Sequence, residues 1–260
     1  MFARLRAAGL VIPTIMTLVM LPVLIALGAW QLERKVWKED MIARLAAGRT
    51  AEPVSLAEVS KRHIAGDNIE YTRVRVTGTF EHGSERHVYA PREHSQGFDV
   101  YTVLNSSEGR VYVYRGWVPD KLKDPASRAE GQITGEVTVT GLARVAETAG
   151  SFTLPDDPKT NRWYLRDPSA FERNGVSVDD WNQIVVERKQ HGIAPFSIDA
   201  EAEPANPGGW PKPTPTEIRL ANRHLEYVVT WWGLAVTLIF VYALFVRQRL
   251  RRTTISPSTT

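Results

Sequence analysis

Two long runs of the chain carry no charge. Residues 7–32 and residues 227–246 are apolar almost throughout, while residues 33–226 mix polar and apolar positions as a soluble domain does. About 20 apolar residues carry a helix across a hydrocarbon core roughly 30 Å thick. Each run therefore predicts a membrane-spanning helix, over 9–31 and 227–246, with short flanks at 1–8 and 247–260. Pro13 and Pro22 are compatible with this, because spanning helices tolerate proline. Arg4, Arg6 and the later "ALGA" would also suit a signal peptide. The apolar region exceeds the roughly 7–15 residues usual for one, so an uncleaved anchor is the expectation.

The first run continues into "WQLERKVWKEDMIARLAAG". Trp30, Arg34, Trp37 and Met41 follow one another at spacings of four, three and four, one face of a helix that should stop near Gly48. The tryptophans read as interfacial anchors, or the face as a basic, aromatic-flanked surface that touches a ligand or partner. Residues 32–214 then read as a β-rich domain. "SLAEVSKRHIAG" predicts a short helix after Pro53, and "YTRVRVTGTFE", "RHVYA", "FDVYTVLN", "RVYVYRGWV" and "ITGEVTVTGLARV" predict strands, with Gly141 a bulge or bend. "NRWYLRD" and "NQIVVERK" are shorter strand candidates on either side of a helix in "DPSAFERNG". Short strands with turn signals at this density predict an antiparallel sheet or a partly closed barrel. In "YRGWVP" Arg115, Gly116 and Trp117 are expected to leave the strand that Pro119 closes, as an edge turn or a binding rim.

Six prolines between Pro195 and Pro215 predict a stiff return linker over 195–214 without regular structure. "TPTE" then offers Thr214 as N-cap, Pro215 at the first helical position and Glu217 at the third, a capping box. It predicts a membrane-proximal helix over 215–226 that runs into the second span. The fold class expected is a membrane protein: two transmembrane α-helices flanking an extracytoplasmic α+β domain rich in antiparallel β, barrel-like.

Charge orients this arrangement. Arg247, Arg249, Arg251 and Arg252 follow the second span with no acid among them, the mark of a cytoplasmic C-terminus. Two spans then place both termini in the cytoplasm and the main domain outside it. Overall, 32 Lys and Arg face 29 Asp and Glu. The excess sits largely at the membrane flanks, where it suits anionic lipid headgroups. No basic footprint beyond them points to nucleic acid. The chain has no cysteine, which excludes disulfides, thiolate metal sites and thioether-linked haem. His63, His82, His87, His94 and His191 form no pair at helical metal spacing, and "REHSQGFD" brings His94, Ser95 and Asp99 together without a nucleophile elbow. No zincin, phosphate-loop or dinucleotide motif is present, so an enzyme is not expected.

One constellation remains. His224, Tyr227 and Trp231 are three and four residues apart and share a helix face, with Trp232 about 100° away. At 1.5 Å per residue His224 lies about 33 Å from Val246, at the outer edge of the hydrocarbon. A neutral imidazole among aromatic side chains can ligate haem iron. By residue type alone, a single histidine at a membrane interface reads first as a polar anchor or a helix–helix hydrogen-bonding group.

Several segments together resemble the surfeit locus protein 1 family of cytochrome c oxidase assembly factors. They are "LGAWQLERKVWK", "YTRVRVTGTF", "RGWVP" and "EIRLANRHLEYVVTWWGLA", in the family's order and across nearly the whole chain. Tyr114 departs from the asparagine that often precedes "RGW" in the family. The resemblance implies a two-span assembly factor that binds haem a and aids its insertion into oxidase subunit I, with haem a synthase as a further partner. It implies His224 as the iron ligand; on that reading Tyr227 and Trp231 are expected to line the macrocycle, and Arg34, on the interfacial face of the first helix, to pair with a propionate. A cofactor-free scaffold for oxidase subunits is the alternative. Only six residues precede the first apolar run, too few for a mitochondrial transit sequence, so a bacterial inner-membrane protein with a periplasmic domain is expected.

Overall fold

A computed structural model of the chain describes residues 6, 9–92, 95–173, 192–201, 206–213 and 223–254. The chain divides into two compact units, residues 1–43 with 218–260, and residues 44–217.

The first unit is helical. Helix α1 spans Val11–Thr50 and helix α4 spans His224–Thr254. Both are long and apolar enough to cross a membrane, by length and composition. Within the unit their buried and half-buried positions recur every three or four residues. On α1 these are Thr14, Thr17, Leu21, Leu24, Gly28 and Gln31; on α4 they are His224, Val228, Trp231, Ala235, Leu238 and Tyr242. That spacing is the seam of two packed helices. The contacts fix it as antiparallel: the Thr14 and Tyr242 hydroxyls share a hydrogen bond of 2.6 Å, and Trp232 Nε1 donates to the Ile25 carbonyl at 3.4 Å. Gly28 is needed here, since a Cβ on it would lie 2.1 Å from Trp232 Nε1. Ile12, Leu18, Val229, Val236 and Phe240 remain exposed on the outer faces.

The second unit is built on a mixed sheet. Strands β1 (Val54–Ser55), β2 (Arg73–Tyr89), β3 (Gly97–Ser106), β4 (Gly109–Pro119), β5 (Glu136–Val145) and β6 (Ile193–Ala200) are joined by short helices α2 (Leu56–Ile64) and α3 (Pro168–Arg173). Pairings run β2–β3–β4–β6–β5 and return from β5 to β2, so each of these five strands has a neighbour on both sides. Most pairs are antiparallel, as the alternation predicts, but β1–β2 and β4–β6 are parallel. Ser55 caps α2, its hydroxyl accepting from the Glu58 N–H at 3.2 Å. One core joins Val74 and Val76, Val111 and Val113, Phe196 and Ile198 beneath α2. On the opposite face of β3 and β4, Tyr101, Tyr112 and Tyr114 pack with Trp163 and Phe171. Strand β4 is thus buried on both faces.

Four expectations are corrected. The linker over 195–214 is regular at its start, because β6 occupies Ile193–Ala200. Pro195 is accommodated where the β4–β6 ladder shifts register, between Arg110↔Ile193 and Tyr112↔Ser197, so its missing N–H costs no ladder bond. "RGWVP" does not leave the sheet. It ends β4, and Trp117 exchanges backbone hydrogen bonds with Lys212 at 2.9 and 2.8 Å. Gly116 lies at φ +133°, and a Cβ there would meet the Lys212 carbonyl at 2.4 Å. Gly141 makes no bulge; it stands in register opposite both Val74 and Ala200, with the Asp199 carbonyl too close for a side chain. "NRWYLRD" forms no strand, only a bridge in which Trp163 N–H donates to His87 O at 3.0 Å and its carbonyl accepts from Tyr89 N–H at 2.7 Å. The "NQIVVERK" strand and the capping box at Thr214–Glu217 lie outside the described residues.

Candidate functional site

Helix α4 begins at His224, and Arg223 stands just outside it with its carbonyl accepting from the Tyr227 N–H at 3.3 Å. The expected membrane-proximal helix over 215–226 lies, up to residue 222, outside the described residues. His224 occupies the first turn of α4.

The side chain of His224 is half-buried and turned to α1. The Gln31 carboxamide oxygen accepts a hydrogen bond from His224 Nδ1 at 2.8 Å. A carboxamide oxygen can only accept, so Nδ1 carries a hydrogen; in the neutral ring Nε2 then keeps its lone pair. Nε2 has no partner among the described residues. The histidine is a helix–helix hydrogen-bonding group whose second ring nitrogen has no partner among the described residues.

The other expected residues are placed as follows. Trp231, two turns on and about 10 Å along the axis, is half-buried on the same seam, and its indole N–H is buried without an acceptor among the described residues. Tyr227 is 51% exposed and stands off the seam. Arg34 is exposed one turn beyond Gln31, its guanidinium 4.5 Å over the Trp37 ring. His224 and Trp231 are thus brought to the seam, while Tyr227 and Arg34 are exposed outside it. Trp30, Trp37 and Trp232 add exposed aromatic surface to the same unit. Gln31 was not predicted. Its only sequence signal is its place in the three-and-four repeat that continues through Leu24 and Gly28.

In the sheet unit a second polar cluster forms. Glu85, Arg128 and His87 are all nearly fully buried. Glu85 binds Arg128 through both carboxylate oxygens and accepts from His87 Nε2 at 2.6 Å. Burial pushes the Glu85 carboxyl up, but the hydrogen bonds from His87 and Arg128 outweigh it, and the net position is below the ordinary value. Asn161 closes the cluster, its Nδ2 donating to the Glu85 carbonyl at 2.8 Å. With the acid committed to a cation and the imidazole tied on both sides, this cluster fastens β2 to the 120–131 segment. Among the described residues no group of three His, Asp or Glu is placed to hold a metal ion. His94 and His191 lie outside the described residues.

Residues 18–236 match the SURF1 family. Surfeit locus protein 1 of Homo sapiens is 32% identical over 237 residues, 83% of this chain and 71% of that protein. The Rattus norvegicus protein of the same name is 31% identical over 245 residues, 87% and 72% of the two chains. A SURF1-like protein of Rickettsia felis is 28% identical over 243 residues, 90% and 96%.

Proposed function

The chain belongs to the SURF1 family, and from that premise we propose that it is an assembly factor for haem–copper cytochrome c oxidase that binds haem a and aids its insertion into subunit I. The observation that carries this reading is the His224–Gln31 pair, which leaves imidazole Nε2 without a partner among the described residues. The residues fit the group: an imidazole nitrogen without a partner among the described residues, with Tyr227 and Trp232 exposed on the same helix. When bound, haem a would supply an iron that an imidazole nitrogen can ligate. His224 would hold the iron, Tyr227 and Trp231 would line the macrocycle, and Arg34 would pair with a carboxylate of the ligand. Gln31 fixes which imidazole nitrogen is presented.

The exposed apolar faces of α1 and α4 support reading both as membrane spans, because a soluble protein rarely leaves so much apolar surface bare. With the arginine-rich tail inside, the sheet unit is then periplasmic in a bacterial inner membrane, and its ring of strand pairings supports a small barrel. Subunit I and haem a synthase are the partners this function requires. The test is the haem content of the full chain purified from cells that synthesise haem a. Wild type should carry haem a by its visible absorption spectrum, and His224→Ala should carry markedly less. Equal content in the two proteins sinks the ligand assignment, and no haem in either points to a cofactor-free scaffold.

A further inference from the structure

Arg115 in the sheet unit is a buried cation that makes no ion pair among the described residues. It is 4% exposed. Its Nη2 donates to the Gly131 carbonyl and to Asn206 Oδ1 at 3.3 Å, while Nε and Nη1 have no hydrogen-bond partner among the described residues. The guanidinium lies 4.8 Å over the Phe80 ring. Among the described residues no carboxylate is ion-paired with it; the nearby Glu85 is taken by Arg128 and His87. Burial lowers its pKa to about 10, so it remains charged at neutral pH. A buried charge is costly unless paired, and the cost is usually met by a partner or a ligand.

Two further observations bear on which. The β3–β4 register passes from Tyr101↔Tyr114 to Val100↔Gly116, which leaves Arg115 as a bulge residue with nothing opposite it. Bulges of this kind re-aim side chains and cluster beside sites. Arg115 also lines a cavity of about 100 Å³, walled by Phe80, Val113, Ile133, Val137 and Val139. Glu201 is on the same wall, but its carboxylate is held by Arg73 at 2.7 and 3.1 Å and its charge is offset there.

We propose that this cavity is a binding site for a short aliphatic carboxylate, with Arg115 as the counter-ion and the valine and isoleucine walls enclosing the alkyl part. A cavity of roughly 150 Å³ accepts benzene, so this one suits about four or five heavy atoms, the size of acetate or propionate. Charge-assisted bonds from a guanidinium to a carboxylate are about twice as strong as neutral ones, so the uncharged amide of the same shape should be rejected.

The test is calorimetric titration of the full chain in detergent with sodium propionate, propionamide and sodium chloride, with the Arg115 Nε–H resonance as a second readout. Saturable propionate binding is expected, with a shift of that resonance, propionamide at least about tenfold weaker, and no displacement by chloride at equal ionic strength. Arg115→Gln should abolish binding. Val137→Phe, which fills the cavity and leaves Arg115 intact, should abolish it as well and decides the matter if Arg115→Gln fails to fold. The proposal is overturned if propionate does not saturate, if propionamide or chloride competes equally, or if Val137→Phe binds as wild type does.

Discussion

Replacing Gln31 with leucine removes the acceptor of His224 Nδ1–H and changes little else, because leucine nearly fills the same volume. Two losses follow, and their sizes differ. The first is one interhelical hydrogen bond of 2.8 Å between α1 and α4. Such bonds between membrane helices contribute on average about 0.6 kcal/mol and at most about 1.7 kcal/mol, while the rest of the Thr14-to-Gln31 seam is kept. The second is control over the imidazole. Without an acceptor at Nδ1 the ring can turn and can protonate either nitrogen, and removing the partner of a ligating histidine typically weakens metal affinity by roughly 10–100-fold. That corresponds to about 1.4–2.7 kcal/mol, so the effect on haem should exceed the effect on helix packing. The assay is a haem titration of the full chain followed in the Soret band, with far-UV circular dichroism as the control for helix content. Gln31→Leu should weaken haem binding within that range with unchanged helicity, and Gln31→Glu, which keeps an acceptor, should bind nearly as wild type does. Wild-type affinity in Gln31→Leu, alongside a clear loss in His224→Ala, would refute the positioning role and leave the ligand role standing.

Other substitutions probe the scaffold. Glu85→Gln strands the buried Arg128 and should cost about 3–5 kcal/mol in denaturant unfolding followed by near-UV circular dichroism. The same residue predicts an acid dependence. Its folded pKa is depressed, so its stabilisation is present above the unfolded value near about 4.3 and is lost as pH falls through the folded one; the fall in unfolding midpoint below pH 4 should be shallower in Glu85→Gln, and an equally steep fall would contradict the assignment. Gly28→Val places a side chain where Trp232 Nε1 stands 2.1 Å from a Cβ, so a fluorescence or cross-linking measure of α1–α4 proximity should drop, and unchanged proximity would mean that the close approach is not needed. Gly116→Ala, at φ +133° against the Lys212 carbonyl, should destabilise the sheet unit by more than about 1 kcal/mol, whereas Gly83→Ala, with open space at its Cβ, should be nearly neutral.

The two apolar helices and four of the longer strands were legible because their signals are local: a long uncharged run, or alternation over eight or more residues. β6 was not, because Pro195 weighs against a strand wherever its ladder is intact, and only the register shift beside Arg110 makes room for it. The closing β2–β5 and β4–β6 pairings join segments far apart in sequence, and alternation says which residues are inward without saying who is beside whom. At the candidate site, His224 stood out by its residue type at the edge of an apolar run. Gln31 carries no motif and is 193 residues away, so only the antiparallel seam brings it to the imidazole. The shared face of His224, Tyr227 and Trp231 followed from helical spacing, but spacing could not tell that the seam takes the first and third and leaves Tyr227 outside. Arg115 read as a strand-end residue because a bulge is invisible to a period-two pattern until its partner strand is known.

The central claim is that His224 presents Nε2 to haem iron, and chemical rescue tests it most directly. His224→Gly in the full chain, reconstituted with haem a, should show an altered absorption and resonance Raman spectrum, and added imidazole should restore the wild-type spectrum by filling the vacated ligand position. A His224→Gly protein whose spectrum already matches wild type, or does not respond to imidazole while its circular dichroism remains that of the folded chain, would contradict it.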